Sequence, residues 1–125
     1  MAFEKDEKFF SGRLKSLKFA TVGAFKLITT EHSIMSQFIM AIALIVMGFY
    51  FQISRIDWMF QIFTMGLVLS IEGLNTAVEK TADFIHPDYH EKIGFIKDIA
   101  AGAVFFAAVA SKIIIILIYY TYIFN

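Results

Sequence analysis

From Phe9 to about Thr30 the apolar positions recur at helical spacing. Phe10, Leu14, Leu17, Thr21, Ala24 and Ile28 fall three or four residues apart, and Arg13, Lys15, Lys18 and Lys26 lie mostly off that stripe. Such a segment is too charged to cross a bilayer. It predicts a helix in the headgroup plane with its basic side chains toward anionic lipid, or one packed on the protein's own membrane bundle. The preceding residues, MAFEKDEK, lack the basic head, apolar stretch and cleavage site of a signal peptide and read as a frayed tail. Glu31-His32-Ser33 predicts a short break. Ile34 to Ile53 then carries no charge and predicts a first membrane span. Ser54-Arg55-Ile56-Asp57 reads as a tight connection, with Trp58 at an interfacial position. A second span, about 58–83, runs on into IEGLNTAVEKTAD. The segment 84–90, which holds the single proline, breaks it. A third helix is expected from about Gly94 to Phe124, closing on the aromatic run YYTYIF.

Composition agrees with that pattern and narrows it. Of 125 residues, 58% are hydrophobic and 15 are Phe, and there is no cysteine. The mean hydropathy is +0.69. A soluble domain of this size could not hide so much apolar surface, so an ordinary globule, a disordered chain and a disulfide scaffold are all excluded. The expected fold class is all-α integral membrane, with three transmembrane helices plus an N-terminal amphipathic surface helix. The formal net charge of +0 gives no support to nucleic-acid binding. Charge placement is more informative than the total. Lys5, Lys8, Arg13, Lys15, Lys18 and Lys26 precede the first span, and Lys80, Lys92 and Lys97 flank the second connection. Only Arg55 lies in the first. The positive-inside rule therefore predicts a cytoplasmic N-terminus and second connection, and a C-terminus outside.

The second span carries unusual chemistry. At about 100° per residue, Glu72, Asn75, Glu79 and Asp83 fall within an arc of roughly 80°. Ionisable groups at membrane depth are expensive and by default functional. Three carboxylates on one stripe repel one another unless a cation neutralises them. Magnesium held by carboxylate oxygens together with a polyphosphate is the common arrangement. The bland alternative, solvation among headgroups, has most force for Asp83 and least for Glu72 and Asn75. The third helix opens with Lys97-Asp98 and the small-residue run Ile99-Ala100-Ala101-Gly102-Ala103, which would let it approach a neighbour closely. A lysine there could bind phosphate as a point charge. On its own, such a pair is usually an interfacial anchor.

Taken together, EGLNTAVEKTAD at 72–83, HPDYH at 86–90 and GFIKDIAAGAV at 94–104 resemble the prokaryotic diacylglycerol kinase family, which includes the undecaprenol kinases. RLKSLKFATVG at 13–23 and TEH at 30–32 extend the resemblance from roughly Arg13 to Val109. It implies a single membrane lipid kinase domain over 1–125, a homotrimer with active sites between subunits, ATP bound on the cytoplasmic side, and residence in the bacterial inner membrane. Carried over by position, Glu72 resembles the general base and Asn75 the amide that positions the reacting groups. Glu31 and Glu79 resemble the carboxylates that hold Mg2+ on ATP, and Lys97 the residue on the phosphates. Arg13, Phe19, Asp88, Tyr89, His90 and Asp98 match further ATP contacts, and Ala101 joins Glu72 in contacting the lipid substrate. The implied reaction moves phosphate from ATP to a lipid alcohol. The family name favours diacylglycerol as acceptor, giving phosphatidic acid, and undecaprenol is the alternative.

Two features depart from that frame, and a third invites a different reading. The family pattern after the glutamate is E-x-N-x-R, whereas Glu31 is followed here by His32-Ser33-Ile34-Met35-Ser36-Gln37, at the membrane entry of the site. Lys112 lies within the third span, about 22 Å along the helix from Lys97. It is expected to snorkel outward, with a role between subunits as the alternative. His86, Asp88 and His90 alternate in a loop, which is weak evidence for a transition-metal site in the absence of cysteines. No P-loop or protein-kinase signature occurs. The competing class is a non-catalytic or ion-coupled small transporter, in which membrane carboxylates relay protons.

Overall fold

The computed structural model describes the backbone of residues 2–124 and the side chains of residues 7–124. Lys5, counted above for orientation, lies outside the described side chains. Four helices follow in order: α1 (Ala2–Thr30), α2 (His32–Phe51), α3 (Arg55–Ile85) and α4 (Glu91–Ile123). The last three are each long and apolar enough to cross a membrane. The all-helical fold with three membrane helices is the one expected from the sequence.

The chain divides into two units, residues 1–35 and 36–125. In the first, α1 starts well before Phe9, so the segment read as a frayed tail is helical from Ala2. Its residues include good helix formers, and no glycine or proline interrupts them before Gly12. Phe10, Leu14 and Leu17 all lie exposed along the apolar stripe of α1. The break at 31–33 narrows to Glu31 alone. Backbone hydrogen bonds from Glu31 N to Leu27 O (3.2 Å) and from Met35 N to Glu31 O (2.9 Å) carry the helical ladder across it.

In the second unit α3 and α4 form the principal packed pair, an antiparallel helical hairpin. Both connections are tighter than expected, and capping explains each. Ser54 is extended, and its Oγ accepts from Asp57 N at 3.1 Å, so α3 begins at Arg55 rather than at Trp58. Gln52, at φ 50°, makes the preceding reversal. His90 caps α4 in the same way, its Nδ1 accepting from Lys92 N at 3.0 Å, which moves the helix start from Gly94 to Glu91.

The end of the unit formed by the α2–α3 connection and the C-terminal part of α4 is locked by a polar core. Gln61 is fully buried. Its Nε2 donates to Leu44 O at 3.0 Å, and the Tyr119 hydroxyl approaches Gln61 Oε1 at 2.5 Å and Leu44 O at 3.1 Å. The Tyr122 hydroxyl donates to Asp57 Oδ2 at 2.7 Å. Ile53, Ile118 and Tyr119 form the apolar centre beside this network. Gly48 makes room for Trp58, whose ring a Cβ at that position would meet at 2.6 Å. Trp58 is thus half-buried packing rather than only an interfacial anchor. In a non-aqueous interior, hydrogen-bonding groups without partners are costly. Tyr119→Phe leaves Gln61 Oε1 without its donor and is expected to destabilise the fold by about 1–2 kcal/mol, read as a lower thermal midpoint in detergent.

An open cavity of about 440 Å3 lies between α2, α3 and α4, lined by apolar side chains together with Gln37, Thr64, Ser111 and Lys112. Lys112, unexpected in the sequence, therefore borders this intramembrane groove.

Candidate active site

The register of the α3–α4 hairpin decides which residues meet. Asp83 with Lys97, Gln61 with Tyr119 and Asp57 with Tyr122 are each nearly equidistant in sequence from the turn at His90. That single register sets Ala101 level with Glu79, and it brings the small-residue run of α4 past the acidic stripe of α3. The four polar residues of the stripe occupy about 16 Å of helix. Gly73, Thr76 and Ala82 are the buried residues of this part of α3, and Thr76 and Ala82 directly flank the stripe.

Glu72 and Asn75 are half-buried. Glu72 Oε2 and Asn75 Oδ1 are the two buried side-chain polar atoms that have no hydrogen-bond partner among the described residues. Buried polar groups in folded proteins are overwhelmingly satisfied, so two orphaned acceptors one turn apart call for an explanation. Both can accept a donor brought by a substrate. Asn75 Nδ2 donates to Glu79 Oε1 at 3.3 Å, which orients the amide and leaves its oxygen as the orphan. Thr76 returns its hydroxyl to Glu72 O at 3.0 Å, within the helix.

At the far end of the stripe, Lys97 Nζ lies 2.5 Å from Asp83 Oδ1. The ammonium pairs with Asp83 rather than with Glu72 or Glu79. Asp98, the next residue, is exposed, as is Ala101 one turn further on. In the turn, Asp88 and Tyr89 are exposed, and the Tyr89 ring stands beside Gly94, within 3.4 Å of where a Cβ would be. His86 Nδ1 is 2.6 Å from Asp88 O, and the His86 and His90 rings meet edge-on with centroids 5.4 Å apart. The His86-Asp88-His90 alternation thus makes a turn. No three His, Asp or Glu side chains among the described residues converge on a metal position.

Arg13, Phe19 and Glu31 belong to the 1–35 unit. Arg13 stacks its guanidinium over the Phe9 ring at 5.2 Å, Phe19 is exposed, and Glu31 is half-buried at the junction of α1 and α2. The sequence expectations name neither the Asn75–Glu79 contact nor the pairing of Asp83 with Lys97. The signal for the latter was the equal spacing of its two residues about the HPDYH turn.

Residues 18–119 match the prokaryotic diacylglycerol kinase family. Phe19 and every later site residue fall inside this match, and Arg13 falls outside it. The chain is 38% identical to an undecaprenol kinase from Bacillus subtilis over 105 residues, 84% of this chain and 85% of that protein. It is 31% identical to a diacylglycerol kinase from Synechocystis, over 81% of this chain and 58% of that protein. To a diacylglycerol kinase from Haemophilus influenzae it is 30% identical, over 75% of this chain and 80% of that one.

Proposed function

The chain belongs to the prokaryotic diacylglycerol kinase family, and from that membership we propose that it phosphorylates the hydroxyl of a membrane lipid alcohol at the polar stripe of α3, with ATP as donor. It is an enzyme of the lipid-kinase class, held in the membrane by α2, α3 and α4. In the proposed site Glu72 accepts the proton of the lipid hydroxyl. The freed oxygen forms a bond to the γ-phosphorus as the bond to the β-phosphate oxygen breaks, and ADP leaves. Asn75 positions the reacting groups, its amide steered by Glu79. Lys97 offers its ammonium to the phosphate oxygens. Little covalent chemistry falls to the protein in phosphoryl transfer, so orientation and charge carry the rate.

The structural observation that supports this reading is the pair of orphaned buried acceptors, Glu72 Oε2 and Asn75 Oδ1, on a helix long and apolar enough to cross a membrane. A lipid hydroxyl supplies the kind of donor they lack. The carboxylate oxygens of the same stripe suit Mg2+, a hard cation usually bound by one or two carboxylates plus the substrate's phosphates. Glu79 and Glu31 are the residues proposed to hold it, and when bound it would offset negative charge on the phosphates. The nucleotide is proposed to contact Arg13, Phe19, Asp88, Tyr89, His90 and Asp98, and the lipid to contact Ala101. The protein is proposed to work as a homotrimer in the bacterial cytoplasmic membrane, with the N-terminus and site on the cytoplasmic side.

Diacylglycerol remains the first acceptor to test. Undecaprenol has a specific observation in its favour, the 38% identity to an undecaprenol kinase across most of both chains. Purified protein in detergent micelles, given ATP and Mg2+ with either lipid, is expected to place phosphate on at least one of them. Phosphate on neither lipid would overturn the kinase assignment in favour of a transport or scaffold role.

A further inference from the structure

Asp83 has no part in the mechanism above, yet its carboxylate holds the cation that the mechanism needs. Lys97 Nζ sits 2.5 Å from Asp83 Oδ1, and the two side chains remain 36% and 58% exposed, respectively. Ion pairs this exposed contribute little to stability, and α3 and α4 already form the principal packed pair of the unit. Holding the pair for stability alone therefore accomplishes little. Its position is more telling. Asp83 stands one helical turn beyond Glu79 on the same face of α3, and Lys97 reaches it from the first turns of α4.

We propose that Asp83 is a positioning residue for Lys97, presenting the ammonium to a nucleotide's phosphates and keeping it off the neighbouring carboxylate of Glu79. The inference rests on the kinase reading and deepens it. A lysine ammonium has three N–H donors, and one acceptor at Asp83 uses one of them. The remaining donors serve anionic phosphate oxygens. A free lysine has large rotamer entropy, and a side chain already held in place loses less of it when a ligand binds. Without Asp83, Glu79 is the next carboxylate along the stripe, and an ammonium drawn to it would occupy oxygens proposed for the metal. The stripe thus separates its charges by position: an acid without a partner at Glu72, an acid steered by an amide at Glu79, and an acid that restrains the lysine at Asp83.

The test compares ATP kinetics, and the affinity of a non-hydrolysable ATP analogue with Mg2+, in the full-length protein in detergent. Asp83→Asn is expected to raise the KM for ATP about tenfold and to change kcat by less than about threefold, with the lipid KM and the thermal midpoint unmoved. Asp83→Glu, which keeps the charge, is expected to recover ATP affinity to within about threefold of wild type. In a Lys97→Met background, adding Asp83→Asn is expected to change analogue affinity by less than about twofold, since the residue acts through the lysine. An ATP KM in Asp83→Asn equal to or below that of wild type would overturn the proposal. So would the same loss of affinity with and without Lys97, or a failure of Asp83→Asn to fold, which would make the pair structural. If the wild-type protein binds the analogue but phosphorylates neither lipid, the kinase reading fails by itself, and the binding measurements still decide the role of Asp83.

Discussion

Glu72→Gln is expected to lower lipid phosphorylation by at least about 10^3-fold while changing the affinity for a non-hydrolysable ATP analogue by less than about threefold. The substitution keeps the volume and one oxygen acceptor, so the packing around this half-buried position is preserved. What it removes is the capacity to take a proton. Positioned general bases contribute about 10^2 to 10^4 in rate. No second base lies within a helical turn of Glu72 on α3. The orphaned Oε2 sharpens the expectation. An acceptor already engaged inside the protein could exchange partners and hide its loss. An acceptor without one can act only on what the substrate brings. Turnover by Glu72→Gln within about tenfold of wild type, with analogue binding and detergent-solubilised size unchanged, would remove Glu72 from the role of base.

That residue was legible in the sequence for a simple reason. A carboxylate among apolar residues is an anomaly in any membrane helix, and helical periodicity alone sets Glu72, Asn75, Glu79 and Asp83 on one face. The three membrane helices were legible on the same grounds, as long apolar runs broken by short polar ones, and α1 by its amphipathic spacing. Helix ends were less so. Ser54 and His90 act through their side chains on backbone N–H groups two or three residues ahead, a local effect that the hydropathy pattern does not record. The Ser54-x-x-Asp57 spacing is a capping signature, and reading it would have moved the start of α3 to where it lies. Contacts between helices were the least legible. Gln61 and Tyr119 are 58 residues apart and Lys97 and Asp83 are 14 apart, and only the hairpin register aligns both pairs. That register can be read from the turn once its centre is known. The same spacing converts Asp83, the stripe residue with the strongest claim to simple solvation, into the partner of the proposed phosphate-binding lysine.

Glu79 provides the second large effect, and the structure makes its test more exacting than alanine replacement alone. If Glu79 holds Mg2+ as proposed, Glu79→Ala is expected to reduce turnover by about 100-fold or more and to raise the Mg2+ concentration needed for half-maximal rate, since it removes an anionic oxygen. The same substitution also removes the acceptor of the 3.3 Å hydrogen bond from Asn75 Nδ2. A fall in rate could then arise from a misdirected amide instead. Glu79→Gln separates the two causes. A glutamine keeps a carbonyl oxygen for the Asn75 amide and loses only the charge. If the carboxylate holds the metal, Glu79→Gln remains nearly as impaired as Glu79→Ala, and both show the shifted Mg2+ dependence. If the carboxylate serves only to orient Asn75, Glu79→Gln recovers most of the activity, and the Mg2+ dependence of both variants matches wild type. Measuring rate against Mg2+ at saturating ATP for the two variants decides between them. The contrast is sharp because charge favours a hard cation far more than it favours a neutral amide donor.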